Sequence, residues 1–272
     1  FDAGPSRRIL VFKALAKAMT PQPCTVAAVQ MVSGAEVEVN LATAERLTRE
    51  AARRGADMVV LPEFFAIFGH HDHDKCKVAE PHGLGPESPM QNRLAGLAAE
   101  LGITLIAGTL PIRSPDPHRV FNTVLVYDPQ GLELARYDKL HLFAFDNGTE
   151  RYDEASSLVP GKSPVACTTA AGRTGLSVCY DLRFPEFFRS LSSPSPLDLI
   201  VLPAAFTYTT GQAHWDILLR ARAIENQCWL VASAQGGQHS NGRATWGHSM
   251  VIDPWGQVVA CCDQGEGLAL AK

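Results

Sequence analysis

The chain has 272 residues, 46% of them hydrophobic and 19% charged, which is ordinary for a globular protein with a sizeable core, as one large domain or two small ones. A net charge of −4 gives no long-range pull toward nucleic acid or an anionic membrane, and no apolar run is long enough to span a bilayer. The 7 cysteines are odd in number, irregularly spaced and lack a CxxC pair, which fits free thiols in a reducing, cytoplasmic compartment better than a disulfide framework.

The sequence opens at Phe1 rather than Met, as a fragment or processed product does. Residues 1–23 read as an N-terminal arm. Within it, the basic, loosely amphipathic stretch from Arg7 to Met19 suits a targeting remnant, a tag or leader scar, or a poorly ordered arm. Thr20-Pro-Gln-Pro23 marks the boundary, and residues 24–272 form the domain. Thr25 to Val32 reads as a first strand. Asn40 is placed to cap a helix through about Arg54, with Leu41, Ala44, Leu47 and Ala51 at helical spacing and Gly55 as its stop. Met58 to Leu61 is a fully apolar strand running into Pro62-Glu63. Pro89 to Leu101 is a helix stopped by Gly102, and Ile103 to Ala107 a buried strand. Asn122–Tyr127, a turn at Pro129–Gly131 and Leu132–Tyr137 read as a hairpin, with Lys139 just beyond it.

Gly175 to Val178 is strand-like and stops at Cys179, and Pro185 opens a helix to about Leu191 with Glu186 in its first turn. Leu199–Leu202 is an apolar strand, Gln212–Asn226 a long helix with Ile217, Leu218, Ala221 and Ile224 inward, and Cys228–Ala234 another strand. Trp246–Asp253, a Pro-Trp-Gly turn and Gln257–Cys262 form a last hairpin. Strand and helix alternate in two stretches, each followed by a hairpin, which implies α/β architecture with helix-covered sheets. There is no glycine-rich phosphate loop and no GxSxG elbow.

A cysteine between a strand end and a helix start is placed to react, because the helix dipole and free N–H groups favour a thiolate. An isolated buried cysteine is also an ordinary packing residue. Glu63, Lys139 and Glu154 occupy comparable strand-end or loop positions, where distant residues converge in sheet proteins. A desolvated carboxylate can take a thiol proton, and a fixed ammonium can hold an oxyanion. Taken singly, these three also suit a helix-start charge, a surface lysine and a solvated loop acid.

Leu61-Pro-Glu63, Tyr137-Asp-Lys139-Leu-His141-Leu-Phe143, Glu154-Ala-Ser156 and Val178-Cys179-Tyr-Asp-Leu-Arg183-Phe-Pro-Glu186 together resemble the nitrilase (carbon–nitrogen hydrolase) superfamily. The resemblance runs from about Cys24 to the C-terminus. It implies a single-domain, four-layer αββα sandwich without metal or organic cofactor, with Glu63 as general base, Lys139 holding the oxyanion, Cys179 as nucleophile and Glu154 positioning them. Phe206–Gln227 and Trp246–Gly256 are more similar to Nit-type amidases, of the deaminated glutathione amidase type more than the omega-amidase type. The implied reaction is hydrolysis of a terminal carboxamide on a small carboxylate-bearing substrate, releasing ammonia through a thioester, with a backbone N–H near Tyr180 sharing the oxyanion. Omega-amidase, nitrilase and N-carbamoyl hydrolase activities share these residues, and a non-catalytic scaffold shares the fold.

Arg183 lies within reach of a substrate carboxylate, the role its counterpart has in related carbamoylases, and equally suits an ion pair with Glu186 or Asp181. Tyr180 and Phe206 are expected at the substrate pocket, and His141 as an ordering residue beside Lys139. His70-His-Asp-His73-Asp74 with Cys76 carries metal-binding residue types, but their crowding suits a polar loop at the site rim and no metal centre. Relatives have Asp where this chain has Ala144, with Asp146 two residues later. They also continue past the position of Lys272 with a basic tail that helps assembly, and they pair through the helices flanking the nucleophile. The resemblance therefore implies a small-molecule amide as partner, a homodimer or larger homo-oligomer, and a shortened C-terminal tail.

Overall fold

The computed structural model describes residues 23–146, 148 and 151–272, so the Arg7–Met19 stretch lies outside the described residues. The first half of the chain builds strands β1 (Val26–Gln30), β2 (Met58–Val60), β3 (Thr104–Arg113), β4 (Val120–Tyr127) and β5 (Glu133–Asp138). Helices α1 (Val37–Arg53) and α3 (Pro89–Leu101), with a single turn α2 (Asp74–Lys77) between them, connect the first three strands. A short hairpin, β6 (Ala144–Asp146) and β7 (Arg151–Asp153), leads to β8 (Val165–Thr169), β9 (Gly172–Leu176), helix α4 (Pro185–Leu191) and β10 (Leu199–Ala204). Helix α5 (Tyr208–Asn226), β11 (Trp229–Ala234), the hairpin β12 (Gly236–Gln238)–β13 (Ala244–Trp246), β14 (Met250–Ile252), β15 (Val258–Cys261) and β16 (Gly267–Ala271) complete the chain.

Two sheets of the same plan result. One runs β16-β1-β2-β3-β4-β5 and the other β15-β14-β11-β10-β9-β8. In each, three central strands are parallel and the outer strands antiparallel. Side chains alternate across a strand, so each strand of the first sheet feeds two cores. Ala27, Val29, Val59 and Leu105 pack with Leu41, Leu47, Leu94 and Leu97 of α1 and α3. Val26, Ala28, Met58, Val60 and Ile106 instead meet Val201 and Val231 of the second sheet. The second sheet's other face is covered by Phe187 and Phe188 of α4 and Trp215 and Leu219 of α5. The layers are therefore helix, sheet, sheet, helix, as expected. Burying each such apolar side chain contributes about 1.5–3 kcal/mol, which explains why the parallel strands are apolar throughout.

Helix α3 ends where Gly102 takes a left-handed φ of 64°, matching its expected stop. Helix α1 differs: it starts at Val37, with Glu36 as cap. Asn40 lies inside it and clamps the preceding loop, accepting from Gly34 N and donating to Gly34 O and Ala66 O at 2.8–2.9 Å. Helix α5 begins at Tyr208 and presents another face inward than expected. Trp215, Leu219, Arg222, Ala223 and Asn226 are buried, while Ile217 is 68% and Ile224 50% exposed. Arg222 can face inward because its guanidinium donates to Leu182 O at 2.7 and 3.1 Å. The expected strand from Trp246 is split: Trp246 ends β13, and β14 begins at Met250.

Candidate active site

Leu61-Pro62-Glu63 follows β2 and runs hard against β3. A Cβ on Gly108 would lie 2.1 Å from Pro62 O, so only glycine permits this approach. Glu63 is 1% exposed. Its Oε1 accepts from Asn122 Nδ2 at 2.8 Å and Lys139 Nζ at 3.0 Å, and its Oε2 accepts from Ala205 N at 2.9 Å. Gln235 holds the turn from behind, donating to Glu63 O at 3.1 Å.

Lys139 directly follows β5 and is fully buried. All three of its donors are used: one on Glu63, and two on Glu154 Oε1 and Oε2 at 2.9 and 2.8 Å. Glu154 stands on a 3₁₀ turn, Glu154–Ser156, after the β6–β7 hairpin, and its Oε2 also accepts from Phe143 N at 2.7 Å. Burial alone favours a neutral amine at Lys139, but the Glu154 and Glu63 charges outweigh it and hold the ammonium well above its ordinary range.

Cys179 opens a 3₁₀ turn, Cys179–Arg183, with a strained φ of +45°. Helix α4 starts only at Pro185, so Cys179 stands on the separate 3₁₀ turn before it rather than at the helix N-terminus. The expected thiolate is corrected accordingly: burial, then the Glu63 and Glu154 charges, push the thiol well above its ordinary range despite Lys139. Glu63, whose Oε2 accepts from Ala205 N, is the strongest charge acting on the thiol, and the Ala205 N–H partly offsets that effect. Burial, reinforced by Glu154, likewise raises Glu63 against the pull of Lys139. With two carboxylates and one ammonium, the buried cluster is already at −1 when both acids are ionised. A thiolate is therefore favoured only when its proton passes to Glu63, which leaves the net charge unchanged.

The sequence reading missed the residues that hold this arrangement. Asp181, fully buried, accepts from Tyr137 Oη at 2.7 Å, Val178 N at 2.8 Å, His141 N at 3.2 Å and the His141 ring at 2.7 Å. It thus ties the cysteine turn to the segment bearing Lys139, and His141 serves that tie while stacking on Phe184. Asn122 orients Glu63 in the same way. Their local sequence does not reveal these roles, because Tyr137, His141 and Glu63 reach them from distant segments.

Cys179, Glu154, Tyr180, Arg183 and Phe206 line one cavity of about 290 Å³, with Phe143, Ala205 and Thr207. Arg183 makes no ion pair with Glu186 or Asp181. It donates to His214 Nδ1 at 3.3–3.4 Å and lies over the rings of Phe206 and Tyr180. The His70–Cys76 segment is a rim loop. Asp74 accepts from His71 N and pairs with Lys77, and among the described residues no group of three His, Cys, Asp or Glu side chains is placed to hold a metal.

A Glu–Lys–Glu network thus stands beside a cysteine at the strand ends of an αββα sandwich, the fold of a hydrolase family. The profile of the family described as carbon-nitrogen hydrolase matches residues 25–272, and the chain belongs to that family. It is 40% identical over 257 residues to the deaminated glutathione amidase of Synechocystis sp., covering 92% of each chain. It is also 40% identical over 254 residues to the Homo sapiens deaminated glutathione amidase, covering 91% of this chain and 76% of that one. The crystal structure of the C. elegans NitFhit protein superposes with a TM-score of 0.84 at 38% identity, over 91% of this chain and 60% of that longer one. Saccharomyces cerevisiae Nit3, a member of branch 10 of the nitrilase superfamily, gives 0.81 at 28% identity, over 91% and 89%. No helix among the described residues is long and apolar enough to cross a membrane.

Proposed function

We propose that the protein is a cysteine-dependent amidase acting on a small carboxylate-bearing amide of the deaminated glutathione type. The observation that carries this is the Glu63–Lys139–Glu154 network beside Cys179, which lines one cavity with Glu154 and with Arg183, a guanidinium that no carboxylate pairs among the described residues. Glu63 takes the thiol proton as Sγ attacks the amide carbon. The oxyanion falls to Lys139 and the Tyr180 N–H. Lys139 can lend one donor, because two of its three go to the single carboxylate of Glu154 and one suffices to keep that pair. Protonated Glu63 then returns its proton to the departing nitrogen as the C–N bond breaks. Ammonia leaves from a primary carboxamide, and an amine from an N-substituted one. Water, deprotonated by Glu63, cleaves the thioester, and the thiol recovers its proton.

Arg183 binds the carboxylate of the acyl half, with Tyr180 and Phe206 as walls. The reaction draws on these side chains alone and takes no cofactor. Exposed Ile217 and Ile224 on α5, close to the nucleophile turn, support pairing of two copies through that face, which light scattering of an Ile217→Glu variant against the parent tests. The free thiols support a cytoplasmic, reducing location. The deciding measurement is intact-protein mass spectrometry after exposure to deaminated glutathione, 2-oxoglutaramate and a simple nitrile. An acyl adduct on Cys179, absent from a folded Cys179→Ala variant that has lost turnover, is the expected result. Full turnover in that variant sinks the mechanism.

A further inference from the structure

The cavity holding Cys179 opens into a second lobe of about 550 Å³. The two share Phe143, Glu154, Ala205 and Thr207, so they form one cleft with Glu154 at its waist. Arg183 belongs to the first lobe, and Lys75 and Arg243 to the second. Lys75 comes from the rim loop, on α2. Its Nζ lies 5.3 Å from the centre of the Phe64 ring and donates to Ser157 Oγ at 3.0 Å. Among the described residues no carboxylate lies within ion-pair distance of it, although an ammonium offers three donors.

The acids around Lys75 are engaged elsewhere. Asp72 is paired with Arg243 at 2.8 Å, Glu154 is held by Lys139, and Asp153, exposed at the rim, accepts from Ala155 N. Burial lowers the Lys75 ammonium from its ordinary range; the Asp72 and Glu154 charges offset part of this and Arg243 adds to it, so the net shift stays downward. Such a charge, desolvated and under-partnered on a cavity wall, is stabilised by an anion brought in by a ligand. Deaminated glutathione, glutathione without its amino group, has a carboxylate at each end, and Arg183 accounts for only one.

We propose that Lys75, with Arg243 beside it, seats a carboxylate on the amine half of the substrate, so that the enzyme selects linear amides that are anionic at both ends. This rests on the amidase reading for which half lies where, but its test does not need turnover. Ligand affinity is measured by calorimetry on the Cys179→Ala protein, with deaminated glutathione and with its C-terminal carboxamide, which differ by one negative charge. The acid is expected to bind about tenfold or more tighter than the carboxamide. Adding Lys75→Met should reduce that preference to less than about threefold, and adding Lys75→Arg should keep most of it. A preference that survives Lys75→Met, no preference at the outset, or no binding of either ligand overturns the proposal. Absent turnover in the parent protein alongside a Lys75-dependent preference would instead overturn the amidase reading and leave this one standing.

Discussion

Glu63 and Lys139 meet through a 3.0 Å hydrogen bond between side chains that are 1% and 0% exposed. So deep a pair is held by what surrounds it: Asn122 and Ala205 N satisfy the rest of Glu63, and Glu154 the rest of Lys139. Glu63→Gln keeps the shape and removes the proposed base. Lys139 retains Glu154, so the fold is expected to persist while kcat/KM falls by about 10²–10⁴, the usual contribution of a general base. Steady-state kinetics beside a circular dichroism melt check this. Activity within a few-fold of the parent assigns the proton to another group.

The raised proton affinity of Glu63 sets the pH dependence. Glu63 must be ionised to act as a base, so the acidic limb of kcat/KM lies above the ordinary carboxylate value of 4.5. Stability runs the other way. A carboxyl with a raised folded-state pKa stabilises the fold fully below its unfolded value, and that contribution is lost as pH rises through the folded value. The melting temperature of Glu63→Gln relative to the parent should therefore climb as pH rises through the kinetic limb. A difference that stays flat or falls over that range contradicts an unfavourable ionised Glu63.

Much of the candidate site could be read from the sequence because Glu63, Lys139 and Cys179 each end or follow a strongly patterned segment. Met58–Leu61 is wholly apolar and halts at Pro62-Glu63, and Pro185 marks a helix start whatever the tertiary context. The supporting residues were not legible in the same way. Asp181 takes its Tyr137 and His141 donors, and Asn122 its Glu63 acceptor, from 40 and more residues away in sequence. The buried face of α5 was misread because Arg222 and Asn226 look polar until Leu182 O and Arg222 O appear as their partners. Strands β8 and β16 were missed because both are short and mixed in composition, and pairing with β9 and β1 is what fixes them. Lys75 sits in a histidine-rich run whose composition points toward metal rather than toward a cavity wall.

Asp181 accepts four hydrogen bonds that link two segments. Asp181→Ala leaves the Tyr137 hydroxyl, Val178 N and His141 without their acceptor in a buried site, and each such loss costs about 1–3 kcal/mol. The expected destabilisation is about 3 kcal/mol or more, read from urea unfolding. Asp181→Asn keeps the shape and some acceptors, so it should lose less stability while still disturbing Cys179, seen as slower adduct formation. A near-neutral Asp181→Ala would show that the cysteine turn is held by its own backbone.

Arg183 is the test of which half of the substrate faces the nucleophile turn. Its guanidinium is free of carboxylates among the described residues, propped by His214 and the faces of Phe206 and Tyr180. A planar fork matches a carboxylate in two hydrogen bonds, and lysine cannot reproduce that geometry. Arg183→Leu removes a charged hydrogen-bonding partner worth about 1.5–3 kcal/mol. That corresponds to a loss of roughly 10- to 150-fold in kcat/KM on a 2-oxo acid amide. Arg183→Lys should recover only part of it. The loss should appear mainly in KM, because Arg183 stands off the reacting carbon and binds ground and transition states alike. An amide whose acyl half lacks the carboxylate, poor for the parent, should respond little to the change. Equal losses on both amides would mean that Arg183 shapes the turn around Cys179 and reads nothing in the substrate.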